Sequence, residues 1–255
     1  MQKAICLLPV IPMRKEPSHR SEMVSQILFG EYATIVEEKD DFLKVTCSYD
    51  NYEGWVQANQ LFLVDEEASE TTHYTNGFAS LVAMKNSHLH VPFGTAVFNP
   101  ENLRFSVGGQ EFQYLMQPQQ CWNRMTIINE TTLKAVYQPY INTPYLWGGK
   151  SVYGTDCSGF VQQVFKFFGK KLLRDAYLQA EQGEPVSSVD TATTGDLAFF
   201  QNEKGKVTHV GIVLADQKIV HASGHVKIDS IDRLGIVNNE SGLRTHVLYS
   251  IRRLN

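Results

Sequence analysis

Apolar and polar residues alternate through YATIVEEKDDFLKVTCSYDNYEGWVQANQLFLV, residues 32–64. A period of two predicts antiparallel strands with one buried face. Charged turn residues fall at 37–41, with further turn chemistry at Asp50-Asn51 and at Gly54. The N-terminal MQKAICLLPVIPM reads as a strand, its apolar run cut by Pro9 and Pro12. Short strands at this spacing predict a small barrel of about 60 residues. The polar stretch at 65–75 reads as a linker. FASLVAMK, TAVFN, LRFSVGG and EFQYLM, within 76–116, read as the strands of a second small β module, and QPQQ at 117–120 as a boundary.

The pattern then changes period. TTLKAVYQPYI (131–141) predicts a helix closed by Pro144. In CSGFVQQVFKFFGK (157–170), Phe160, Val164 and Phe168 recur every four residues beside Val161 and Phe165, the stripe of an amphipathic helix. Gly169 is a natural C-cap. DLAFFQ, VTHVGIVLA, KIVHASG and VLYSIRRL follow as strands. A helix followed by an antiparallel sheet is an α+β arrangement. The expected domains are 1–64, 76–120 and 126–255.

Composition narrows the classes. Of 255 residues, 43% are hydrophobic and 20% charged, with net charge −4, as in an ordinary globular protein. The chain has no long basic run for a nucleic-acid groove and no apolar run of the roughly 18–20 residues that cross a bilayer. Neither nucleic acid nor membrane is expected as a partner. The start lacks the long apolar region and small-residue cleavage site of a secretory leader. A cytoplasmic location is therefore expected, export being the alternative if a leader once preceded the chain. Cys6, Cys47, Cys121 and Cys157 form no C-x-x-C pair, so reduced thiols are expected, a Cys6–Cys47 bridge remaining open.

Cys157 begins the amphipathic helix, on its buried stripe. A helix N-terminus offers unpaired N–H groups and partial positive charge, which favour a thiolate and can hold an oxyanion. His209 and His221 lie inside the next apolar strands. With a three-residue loop at 215–217, His221 pairs with Gly211 and shares a face with His209; a four-residue loop would put the imidazoles on opposite faces. Thiol, base and orienting group are the parts of nucleophilic catalysis. The plainer readings are a buried structural cysteine and two satisfied strand histidines. A zinc site from the same three residues is a rival, without a cysteine pair or H-x-x-x-H to support it. No metal or other cofactor is expected.

PYLWGG (144–149), DCSGF (156–160), GDLAFF (195–200), HVGIV (209–213) and VHASG (220–224) together resemble the NlpC/p60 family of papain-like cysteine peptidases. The separations of 52 positions from Cys157 to His209 and 12 from His209 to His221 fit. The likeness covers about 126–255. The first half is similar to two bacterial SH3-like modules, and RKEPSHRSEMVSQILFGE before YEGWV resembles the γ-D-glutamyl-L-diamino-acid dipeptidyl peptidases that trim cell-wall peptides. The implied fold is a papain-like catalytic domain preceded by two small SH3-like barrels. The implied nucleophile is Cys157, with His209 as base and His221 as orienting residue. The implied substrates are peptidoglycan-derived peptides, L-Ala-γ-D-Glu followed by diaminopimelate or L-Lys, cut after D-Glu. Glu22, Tyr52, Tyr145, Trp147, Asp156, Ser158 and Asp175 would bind the L-Ala end. Plainer roles exist: Glu22 as a solvated loop charge, Trp147 as core, Asp156 as a helix cap. Arg174 is left out of the site, as either a substrate-carboxylate contact or the partner of a surface acid. Competing expectations are an exported endopeptidase anchored by its SH3-like modules, an inert wall-binding protein, and an acyltransferase on the same fold.

Overall fold

The computed structural model describes residues 2–66 and 71–254. Positions 67–70 of the expected linker lie outside the described residues. The chain divides into two compact units, Met1–Arg124 with Trp147–Val152, and Met125–Leu146 with Tyr153–Asn255.

In the first unit, β1 (Lys3–Ile5), β2 (Val10–Arg14), β3 (Met23–Leu28), β4 (Tyr32–Lys39), β5 (Phe42–Cys47), β6 (Glu53–Gln57) and β7 (Phe62–Val64) form one antiparallel sheet, ordered β3-β2-β6-β5-β4-β1-β7. Its core gathers Cys6, Ile11, Met13, Ile27, Val45 and Val56. Two turn expectations are corrected. Glu37, Glu38 and Lys39 continue β4, whose solvent face accommodates charge, and the turn is confined to Asp40-Asp41, with Asp40 at φ 54°. Gly54 lies inside β6, where an added Cβ would sit 2.3 Å from Met13 Cγ; close packing, rather than a turn, requires glycine there.

β8 (His73–Thr75), β9 (Ala79–Met84), β10 (Ser87–Pro92), β11 (Arg104–Val107), β12 (Gln110–Tyr114) and β13 (Cys121–Asn123) follow. Four of them form a sheet ordered β10-β9-β12-β11, and β13 pairs with β8, so the chain returns to this region after QPQQ. TAVFN is a loop holding one bridge, Tyr74 to Ala96. SHLHVP is instead the unforeseen strand β10, with His88 and His90 outward and Val91 inward. The two stretches read as separate modules share a core: Ile5, Leu7 and Phe29 cluster with Val82, Val91, Phe105, Phe112 and Tyr114. Phe29 meets Phe105, Phe112 and Tyr114 edge-on. β14 (Lys150–Ser151) completes this unit.

The second unit holds α1 (Glu130–Tyr137), β15 (Gly154–Thr155), α2 (Cys157–Lys166), α3 (Ala176–Gln179), β16 (Glu184–Val186), β17 (Leu197–Gln201), β18 (Val207–Leu214), β19 (Lys218–Ser223), β20 (His225–Asp232), β21 (Gly235–Val237) and β22 (Arg244–Arg253). α1 stops well before Pro144: a single 3-10 turn, Gln138–Tyr140, begins around Pro139, which has no N–H to extend the α ladder. The sheet runs β16-β22-β17-β18-β19-β20-β21, and β21 also pairs with β22, so six strands close into a barrel. Its core includes Ala198, Phe200, Val213, Ile219, Ile231, Ile236 and Ile251. α2 packs on β18 and β19. Every residue of α2 is buried, including Gln162, Gln163 and Lys166, so the apolar stripe understates how central this helix is. β18, covered on both faces, accordingly reads as a nearly continuous apolar run.

Candidate active site

Asp156 caps α2, accepting the Gly159 N–H at 2.7 Å. Cys157 is thereby the first helical residue, with its side chain buried. Its thiol points to the Thr208 carbonyl, 4.0 Å away, one residue before His209. Burial, then the Asp156 charge, pushes the thiol up to about 12; the Val210 backbone and Arg174 pull weakly the other way. At neutral pH the resting sulfur is therefore protonated and needs a base to become a nucleophile.

The register of β18 and β19 supplies one. Leu214 pairs with Lys218 across a three-residue loop, in which Asp216 and Gln217 have φ 55° and 52°, and Gly211 pairs with His221. The expected register therefore holds, and both imidazoles lie on one face. Gly211 makes room for them: a Cβ there would be 2.9 Å from the His221 Cβ. His209 Nε2 lies 2.8 Å from His221 Nδ1, and His221 Nε2 lies 3.1 Å from Asp229 Oδ2. All three side chains are buried. Burial opposes ionisation of Asp229, but the His221 hydrogen bond, the Asn239 N–H at 3.0 Å and the neighbouring positive charge of Lys227 outweigh it and hold its carboxyl far below the usual range. Burial lowers the pKa of both His209 and His221; His246 and His221 add to the effect on His209, whereas Asp229 partly offsets it at His221. Neutral imidazole is the form that can accept a proton.

Asp229 and His246 were not among the sequence candidates. His246, on β22, stacks on His209 with ring centroids 4.2 Å apart, and burial followed by the His221 and Lys227 charges lowers it to about 4. HVKIDSID, which carries Asp229, was not foreseen as a strand; an aspartate between Ile228 and Ser230 reads as solvent-facing until the barrel closes over it. Its alternation of apolar and polar positions was the available signal.

A second polar cluster stands at the start of α2. Arg174, 1% exposed, donates from Nη1 to Asp156 Oδ1 at 3.0 Å and Ser158 Oγ at 2.9 Å, and from Nη2 to Asp156 Oδ2 at 2.6 Å. Arg174 is therefore neither solvent-facing nor paired with a surface acid; it braces two candidate residues. Gln179 Nε2 donates to the Ser158 carbonyl at 3.1 Å. Tyr145 anchors its N–H on the Gly224 carbonyl, and burial, then the Cys157 and Asp156 charges, pushes its hydroxyl up. Asp175 stands at the start of α3, beside Arg174 in sequence.

Glu22, Tyr52 and Trp147 belong to the first unit. Trp147 is 59% exposed, not core, and its Nε1–H donates to Glu22 Oε1 at 2.8 Å. Glu22 also lies 3.8 Å from Lys15 Nζ, so its carboxylate is not simply solvated. The same segment is held by the Lys150 N–H on Gln26 Oε1 at 2.8 Å and by a buried Lys150–Glu31 ion pair at 3.5 Å. Tyr52 packs half-buried against the core of the first unit's sheet. All four cysteines are free thiols, so Cys6 and Cys47 are unbridged. Among the described residues no cluster of three or more His, Cys, Asp or Glu is placed to hold a metal ion.

The NlpC/P60 family model matches residues 142–240, a span containing Cys157, both strand histidines and Asp229. Residues 142–240 thus carry the likeness to the NlpC/P60 family. The model of the bacterial dipeptidyl-peptidase SH3 domain matches residues 13–61. The chain is 26% identical to γ-D-glutamyl-L-lysine dipeptidyl-peptidase of Bacillus cereus, over 90% of this chain and 77% of that one. It is 28% identical to dipeptidyl-peptidase 6 of Lysinibacillus sphaericus, over 90% and 92%. The crystal structure of an NlpC/P60 family protein from Bacillus cereus superposes with a TM-score of 0.82 at 20% identity, covering 98% of this chain and 99% of that one, a likeness of fold.

Proposed function

We propose that this cysteine peptidase hydrolyses the bond between γ-D-glutamate and an L-diamino acid, diaminopimelate or lysine, in murein peptides with a free N-terminal L-Ala, releasing L-Ala-γ-D-Glu. The observation that carries the reading is the chain-long likeness to the two dipeptidyl-peptidases, which takes in the N-terminal unit as well as the catalytic domain. The hydrogen-bonded chain from Asp229 to His209, on the strand beside Cys157, supplies the chemistry.

In this reading His209 removes the Cys157 proton as sulfur attacks the γ-carbonyl carbon of D-Glu. A neutral thiol beside a neutral imidazole makes this a proton transfer coupled to attack, not the use of a standing ion pair. The Cys157 N–H, one of the unpaired donors at the start of α2, holds the tetrahedral oxyanion. Imidazolium His209 then protonates the departing amine of the diamino acid, and the C–N bond breaks to leave a thioester. Water gives a proton to His209, attacks the thioester carbon, and the thiol leaves with that proton as the dipeptide acid departs.

A free α-ammonium needs buried acceptors, because an unpaired charge there is costly. In this reading Tyr145, Asp156, Ser158 and Asp175 of the catalytic domain meet that need. The physiological substrates are peptides already released from the wall, taken up for recycling in the cytoplasm. Mass spectrometry of products from L-Ala-γ-D-Glu-diaminopimelate, L-Ala-γ-D-Glu-L-Lys and their N-acetylated forms tests this. Wild type is expected to release L-Ala-γ-D-Glu from the free-amine peptides alone, and Cys157→Ala to release nothing. Equal cleavage of acetylated and free peptides, or of intact sacculi, overturns the reading.

A further inference from the structure

The two imidazoles do not by themselves determine where their protons sit, since each neutral ring can carry its hydrogen on either nitrogen. We propose that Asp229 is a positioning residue whose carboxylate fixes the tautomers of both His221 and His209, leaving His209 Nδ1 as the unprotonated, proton-accepting atom. The inference rests on the reading of Cys157 and His209 as nucleophile and base.

An ionised carboxylate only accepts hydrogen bonds. Facing Asp229 Oδ2 at 3.1 Å, His221 Nε2 must therefore carry the hydrogen, which puts the lone pair of a neutral ring on Nδ1. That lone pair meets His209 Nε2 at 2.8 Å, so this nitrogen donates and His209 keeps its own lone pair on Nδ1. One acceptor at the buried end sets both rings. Asp229 is well placed to stay fixed. It lies on β20, where its neighbour Lys227 pairs with His221, and its Oδ1 accepts the Asn239 N–H at 3.0 Å. Lys227 Nζ and Asn238 Nδ2 stand farther off, each 3.5 Å from Oδ2.

The Asn239 contact makes the isosteric substitution informative. In Asp229→Asn, that backbone N–H, fixed at 3.0 Å, keeps the amide oxygen on its side and turns the amide NH2 toward His221, while Asn238 Nδ2 and Lys227 Nζ, long contacts at 3.5 Å on side chains that can rotate, turn away. The donor now faces His221 Nε2, so the hydrogen of His221 moves to Nδ1 and that of His209 also moves to Nδ1. The base is then protonated on the wrong nitrogen although no atom has left the site. Asp229→Ala only releases the rings.

The test is 15N NMR of the histidine side chains together with steady-state kinetics on the free-amine tripeptides. In wild type, Nδ1 of both His209 and His221 is expected to be the unprotonated nitrogen; in Asp229→Asn, Nε2 of both. Asp229→Asn should lose on the order of 10⁴-fold in kcat, with KM within about threefold, the size of a wrong-tautomer defect. Asp229→Ala should lose less, on the order of 10²-fold. A purely structural role gives the opposite order, because asparagine preserves shape and alanine does not. A wild-type His221 protonated on Nδ1, unchanged tautomers in Asp229→Asn, or an Asp229→Asn kcat within about threefold of wild type overturns the proposal. The wild-type NMR arm needs neither a folded variant nor a substrate. Should the tripeptides prove inert with every form, the function reading fails while the tautomer result still decides the role of Asp229.

Discussion

The catalytic domain buries two aspartates near its thiol, and they differ in what they are paired with. Asp156 meets Arg174, whose guanidinium keeps its protons at any pH the fold survives. Asp229 meets His221, whose ring can change its protonation and passes its orientation on to His209. The first pair fixes geometry at the start of α2, holding Ser158 and the cap in place. The second fixes proton positions. A buried carboxylate therefore has no single role in this fold; the titration behaviour of its partner assigns one.

Arg174→Met tests the geometric side and should have the largest effect on stability. It leaves Asp156 buried without its countercharge, a loss of about 3–5 kcal/mol in urea unfolding. Adding Asp156→Asn should restore part of it. If the single variant is as stable as wild type, the two aspartates do not differ in the way described.

Acidification tests the other side. His209, His221 and His246 are held neutral by burial below their ordinary 6.5. In the unfolded chain they titrate near that value, so below about pH 6.5 the unfolded state binds more protons than the folded one. Stability is then full above that pH and falls as pH drops through it, by at most about 1.4 kcal/mol per pH unit for each histidine. Asp229 acts in a lower window: its depressed pKa adds stability above 3.8 that is lost as pH falls further. Urea midpoints at pH 7.5 and 5 check this, and equal values would refute it. Smallest is the effect of His246→Gln. Removing the ring stacked on His209 takes away one of the two neighbouring charges that lower it, the other being His221. The acid limb of the pH–rate profile should then move toward 6.5 by less than about one unit.

Much of this was legible from residue order. The period-four stripe locates α2 and puts Cys157 at its first turn, and counting the 215–217 loop puts His209 and His221 on one face. What escaped was whatever depends on burial of a charged residue. Arg174 and Asp229 look like surface groups in LLRDAY and KIDSID, because nothing local announces that a helix start or a closed barrel will cover them. Gly54 was misread for a related reason: glycine serves a turn or a close approach equally well, and only Met13 across the sheet decides which.

The sequence by itself determined the helix that Cys157 begins, its Asp156 cap and the shared face of His209 and His221, because helix and strand periods are properties of neighbouring residues along one chain. The tertiary structure decided which acid the imidazoles meet, which arginine Asp156 meets, and that His246 lies against His209. Those partners come from elements far apart in order, and their protonation follows from how completely the closed barrel excludes water.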